Sequence, residues 1–118
     1  MPSNKKYSWK HKHLLDVDSL ASTEYKSIFS LAEKYNKLLN NKKMIKKTLS
    51  NVNIFNLFYE PSTRTRASFE LAGKLLGANV INIASNISAT QKGESLINTI
   101  KTINAMHSDI IILRHEDS

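Results

Sequence analysis

Three short apolar runs, at 52–58, 79–84 and 109–113, alternate with two stretches whose apolar residues recur at helical spacing. Few folds accept that order. Strand, helix, strand, helix, strand implies parallel pairing through crossover helices, hence an α/β fold in which a parallel sheet is flanked by helices in three layers. The third run is apolar from Ile110 to Leu113, the pattern of a strand buried on both faces of such a sheet. Pro61 stops the first run, because proline cannot continue a central ladder.

The helices are legible in some detail. Ser62 is placed to cap one that runs to about Leu76, with Gly77 as terminator and Ala67, Leu71, Ala72 and Leu75 facing inward. A second spans Glu94 to about His107, with Leu96, Ile100, Ile103 and His107 on one side. Upstream of the first strand, a third starts at Ser22, capped by Ser22 or Thr23 with Glu24 in its first turn, and ends at Asn40 and Asn41. Its stripe of Tyr25, Ile28, Phe29, Ala32, Tyr35, Leu38 and Leu39 is expected in the core. Residues 42–50 form a charged connection.

In a parallel sheet, ligands collect beyond the carboxyl ends of the strands. Three polar segments are expected at that edge: Ser62–Arg66, Ser85–Lys92, and Arg114 with His115. The first is the densest in chemistry. It sets three hydroxyls and two arginines just after a Glu-Pro turn, at the start of a helix. Hydroxyls, backbone N–H groups and the helix dipole favour an anion there, and guanidinium groups add charge-assisted contacts to phosphate oxygens. An ordinary capped helix would explain Ser62 but not its neighbours. Arg66 lies two residues beyond Arg64 and so points elsewhere on the helix, which suits an ion pair with Glu60 or Glu70.

Composition narrows the classes. At 118 residues the chain holds one domain at most. Its net charge of +7 sits entirely in residues 1–50, which hold eleven basic and four acidic side chains; residues 51–118 hold six of each. These lysines lack interleaved aromatics and arginines, so they fit a solvated face and a mobile basic terminus at 1–13, with no nucleic-acid partner. The absence of cysteine excludes disulfides and thiolate chemistry. The longest apolar run is far too short for a membrane span and nothing at the start resembles a signal peptide, so a cytoplasmic protein with no membrane partner is expected. His11 and His13, without carboxylate or thiol company, read as surface histidines, and no metal is expected. No P-loop or dinucleotide fingerprint is present, and Gly73 and Gly77 serve helix packing or termination.

Ser62-Thr63-Arg64-Thr65-Arg66, followed one residue later by Ser68-Phe69-Glu70, resembles the signature of the aspartate and ornithine carbamoyltransferases. The preceding Phe58-Tyr59-Glu60-Pro61 resembles the aspartate branch. Gln91-Lys92-Gly93-Glu94-Ser95 and Ile112-Leu113-Arg114-His115 are two further matches in the family's order. The resemblance is strong over residues 54–118 and loose over the first fifty.

It implies a partial carbamoyl-phosphate-binding domain at 14–118, with the aspartate-binding domain absent from this chain. It assigns Ser62, Thr63, Arg64, Thr65 and Arg114 to carbamoyl phosphate, with Arg64 neutralising the departing phosphate and Thr65 also reaching the carbamoyl oxygen. Lys92 would bind L-aspartate from a loop that reaches into a neighbouring subunit, giving a homotrimer with shared sites. Ser88 on that loop, Glu60 and His115 would support. Regulatory subunits are a further partner it allows. The reaction implied needs no metal, covalent nucleophile or organic cofactor. Two alternatives remain at this point: an ornithine carbamoyltransferase, and a non-enzymatic fragment that binds phosphate or associates with a subunit.

Overall fold

The computed structural model describes residues 9–60, 62–84 and 92–115. The chain divides into two compact units, residues 1–45 and 46–118.

The first unit is built on helix α1 (Ser22–Asn40). The segment before it is tied down: the Tyr25 hydroxyl donates to the Val17 carbonyl, the Ser19 N–H donates to Asp16 at 3.0 Å, and Leu20 is buried. The helix cap is Ala21, not Ser22 or Thr23. Ala21 has no acceptor of its own, so Glu24 reaches back and takes its N–H at 2.8 Å. The same Glu24 oxygen pairs with His11 Nε2 at 3.0 Å. The Ala21 N–H first, and His11 second, hold the Glu24 carboxyl below the usual glutamate range. The expected core stripe is not core here. No α1 residue is buried, and Phe29 is 67% exposed. Helical spacing defines an apolar face, but it carries no information on what covers that face.

The second unit runs β1 (Asn53–Phe58), α2 (Thr63–Leu75), β2 (Asn79–Ala84), α3 (Lys92–Ala105), β3 (Ile110–Arg114). All pairings are parallel, in the order β2-β1-β3. The period of two along β1 assigns its faces. Phe55 and Leu57 point to one side, where Ile103, Ile100 and Leu96 of α3 pack on them. Ile54 and Asn56 point to the other, under α2. The result is the expected three layers. Full burial of Phe55 and Leu57 contributes about 1.5–3 kcal/mol each.

Three expectations are corrected. β3 is not buried on both faces: Ile110 is 39% and Leu113 44% exposed. The middle place belongs to β1, and sheet order is a topological fact that apolarity does not encode. Nor do Ala67, Leu71 and Ala72 face inward; all three are exposed, while Arg66, Glu70 and Gly73 turn toward the sheet. The reason is Gly73. A Cβ there would stand 2.7 Å from Val80 Cγ2 and 3.2 Å from Ile54 Cδ1, so the helix lies down on its glycine. Finally, His107 lies beyond α3, exposed and with φ 62°. It belongs to the turn that delivers the chain to β3. Gly77, with φ 91°, ends α2 as expected.

Candidate functional site

From β1 the chain crosses to β2 with α2 on one face of the sheet. It then returns past β1 to β3 with α3 on the other face. A reversal of this kind opens a crevice beyond the carboxyl ends of the two strands concerned, here β1 and β3. The backbone closes the floor of that crevice: the Tyr59 N–H donates to the Arg114 carbonyl at 2.7 Å.

Arg114 is the hub. As the last residue of β3 it stands beside Phe58 in register, and its guanidinium reaches across to the loop after β1. Nε donates to Glu60 Oε2 at 3.1 Å. Nη1 donates to Ser62 Oγ at 3.2 Å and to Thr65 Oγ1 at 3.3 Å. Ser62 is the N-cap residue of α2, yet its hydroxyl makes no cap hydrogen bond. It accepts from Arg114 instead, as does Thr65. Both hydroxyls thereby keep their own protons for a further acceptor, and a cation behind them strengthens that donation.

Thr63 and Arg64 occupy the first turn of α2 and are exposed. Among the described residues the Arg64 guanidinium has no hydrogen-bond or ion-pair partner. Arg66 turns along the helix to Glu70, with Nη1 3.6 Å from Oε1. Glu70 therefore takes Arg66, while Glu60 belongs to Arg114. Lys74 first, then Asn82, hold the Glu70 carboxyl below the usual glutamate range. The His115 ring stands 5.1 Å from the Tyr59 ring at a tilt, against a side chain that itself packs on the core.

The structure thus brings together Glu60, Ser62, Thr65 and Arg114, with Arg64 and Thr63 on the same helix turn. Lys92 opens α3; its side chain lies outside what the structure describes. Ser88 and the rest of the 85–91 loop also lie outside the described residues. No group of three metal-ligating side chains occurs among the described residues. The sequence reasoning missed Asn56 and Asn82, which pair beneath α2 with Asn56 Nδ2 donating to Asn82 Oδ1 at 2.9 Å. The only signal was an asparagine inside each of two apolar runs. Chemically, the crevice offers a guanidinium, two oriented hydroxyls and the free N–H groups of a helix start, a donor set for an oxyanion.

Comparison with known proteins agrees in sequence and in fold. The chain is 47% identical over 115 residues to the aspartate carbamoyltransferase catalytic subunit of Pelagibacter ubique, covering 98% of this chain and 37% of that protein. It is 45% identical over 111 residues to that of Ruegeria pomeroyi, covering 94% and 36%. It therefore spans about a third of the length of these relatives. The catalytic subunit of M. jannaschii aspartate transcarbamoylase superposes with a TM-score of 0.73 at 43% identity, over 89% of this chain and 35% of that one. Aspartate transcarbamoylase from Trypanosoma cruzi, in complex with carbamoyl aspartate and phosphate, superposes with a TM-score of 0.76 at 28% identity, over 90% and 32%. Residues 12–118 match the carbamoyl-phosphate-binding domain of the aspartate/ornithine carbamoyltransferases, and to that family the chain belongs.

Proposed function

We propose that the protein carrying this chain transfers the carbamoyl group of carbamoyl phosphate to the amine of L-aspartate, an early step of pyrimidine synthesis in the cytoplasm. This chain supplies the carbamoyl-phosphate side of the site. The observation that carries the reading is the meeting of Ser62, Thr65 and Arg114 at the carboxyl ends of β1 and β3. The relatives' names favour aspartate over ornithine as the acceptor.

The amine lone pair attacks the carbamoyl carbon and forms the new C–N bond. The C–O bond to phosphate breaks, phosphate leaves with the electron pair, and the nitrogen gives up a proton. Negative charge gathers on the departing phosphate. Arg114 with the Ser62 and Thr65 hydroxyls holds it from the sheet side. Arg64 and Thr63 meet it from the helix turn, so that stabilising charge is in place before the reaction begins. Thr65 also reaches the carbamoyl oxygen. Lys92 binds aspartate from a neighbouring subunit's loop, within a homotrimer whose sites are shared.

Subunit mixing tests these roles together. In the full-length protein, Arg64→Ala alone should lower kcat by about 10²–10³, the scale for losing one transition-state donor. Lys92→Ala alone should also be nearly inactive. Mixed trimers should recover part of the activity, because some sites then draw an intact Arg64 and an intact Lys92 from different subunits. Wild-type turnover in Arg64→Ala would refute its role. Confirmed hybrids without recovery would refute the shared site.

A further inference from the structure

We infer that Asn56, Asn82 and Glu70 form a hydrogen-bond relay that fixes the rotation of α2 and so positions Ser62 and Thr65 for the anion, without any of the three touching it. The inference rests on the phosphate reading of the crevice described above.

Asn56 occupies the middle of β1 at 0% exposure, between Phe55 and Leu57. It lies in register with Asn82 of β2. Asn56 Nδ2 donates to Asn82 Oδ1 at 2.9 Å, and Asn82 Nδ2 donates to Glu70 Oε1 at 2.9 Å. Glu70 Oε2 accepts from Lys74 at 2.8 Å, while Oε1 faces Arg66 at 3.6 Å. Nothing among the described residues donates to Asn56 Oδ1. A buried carbonyl without a donor is destabilising, and a β-branched residue at 56 would fill its place without that cost, whereas Asn82 is exposed. Asn56 therefore needs another reason.

Direction is what it supplies. α2 meets the sheet on Gly73, which has no side chain to key into a hole. Phe69 of α2 also meets Phe58 of β1, ring centroids 6.5 Å apart, but such an apolar contact tolerates rolling, whereas a hydrogen bond weakens steeply with misalignment. Positions 62, 66, 70 and 73 follow one another up a single helix face. Rotation that keeps Glu70 over Asn82 also keeps Ser62 and Thr65 toward Arg114. Arg66, which faces Glu70, donates its N–H to the Ser62 carbonyl at 2.9 Å, so the helix turn that carries Glu70's partner also holds the cap residue. The relay also draws the Arg66 guanidinium along the helix, so that Arg64 alone of the pair is left for the anion.

The test is calorimetric titration of inorganic phosphate into the full-length protein, with unfolding temperature measured in parallel. Asn82→Asp sets a second carboxylate against Glu70 and should weaken phosphate binding by about tenfold. Adding Glu70→Gln restores a donor facing an acceptor with the polarity reversed, and most of the affinity should return. A purely structural pair would shift the unfolding temperature and leave the affinity of the folded protein unchanged. Should the aspartate variant not fold, Asn82→Leu breaks the relay without repulsion and is expected to show the same loss. Wild-type affinity in whichever of the two folds overturns the relay alone. Absence of phosphate binding by the wild type overturns the crevice reading, and the relay with it.

Discussion

Glu60 and Arg114 form an ion pair at the mouth of the crevice, with side chains 29% and 44% exposed. Pairs this open to water are worth little, about 0.2–1 kcal/mol, because solvent screens them. An incoming oxyanion can therefore displace the carboxylate from the guanidinium. Glu60→Gln removes the competing charge and should tighten phosphate binding by roughly two- to fivefold in a titration. Unchanged or weaker binding would show that Glu60 orients Arg114 more than it competes for it. At this scale the sequence was most informative where chemistry is local. Ser62, Thr65 and the Arg66–Glu70 pair lie within one helix start, and helical spacing alone relates them. The partner of Glu60 lies 54 residues away, and no local pattern encodes it. The asparagines were harder still. Their meaning depends on the register Asn56↔Asn82, which exists only once the strands are paired.

Among the elements, α2 links fold to site. It carries the anion-facing turn at one end and lies on the sheet through Gly73 at the other. Gly73→Ala would put a methyl group 2.7 Å from Val80 Cγ2. Valine is stiff at χ1 and cannot swing aside freely, so the helix must lift. The expected cost is about 1–3 kcal/mol in denaturant unfolding, with weaker phosphate binding as Ser62 and Thr65 move off Arg114. A neutral effect on both would mean that α2 is held by contacts other than this one. The order of elements and the parallel sheet were legible because periods of two and of 3.6 alternate cleanly along residues 52–113. The inward face of α2 was not. The apolar pattern pointed to Ala67, Leu71 and Ala72, while the close approach at a glycine turned the helix the other way. β3 misled for a related reason: four consecutive apolar residues indicate capacity for burial, and sheet order decides whether it is used.

Along the whole chain, charge and site fall in different stretches of sequence. The net charge of +7 sits in residues 1–50, while the crevice is built from residues 51–118, which carry no net charge. What residues 51–118 themselves offer an anion is a few oriented groups and a helix start, not an excess of positive charge. On the reading proposed above, this half cradles the phosphate of carbamoyl phosphate and also carries Lys92. The most direct test is a crystal structure of the full-length protein with carbamoyl phosphate bound. The account predicts phosphoryl oxygens within about 3 Å of Ser62 Oγ, Thr65 Oγ1 and an Arg114 nitrogen, beyond the carboxyl ends of β1 and β3. Phosphate bound elsewhere, with the Glu60–Arg114–Ser62–Thr65 contacts unchanged, would contradict it.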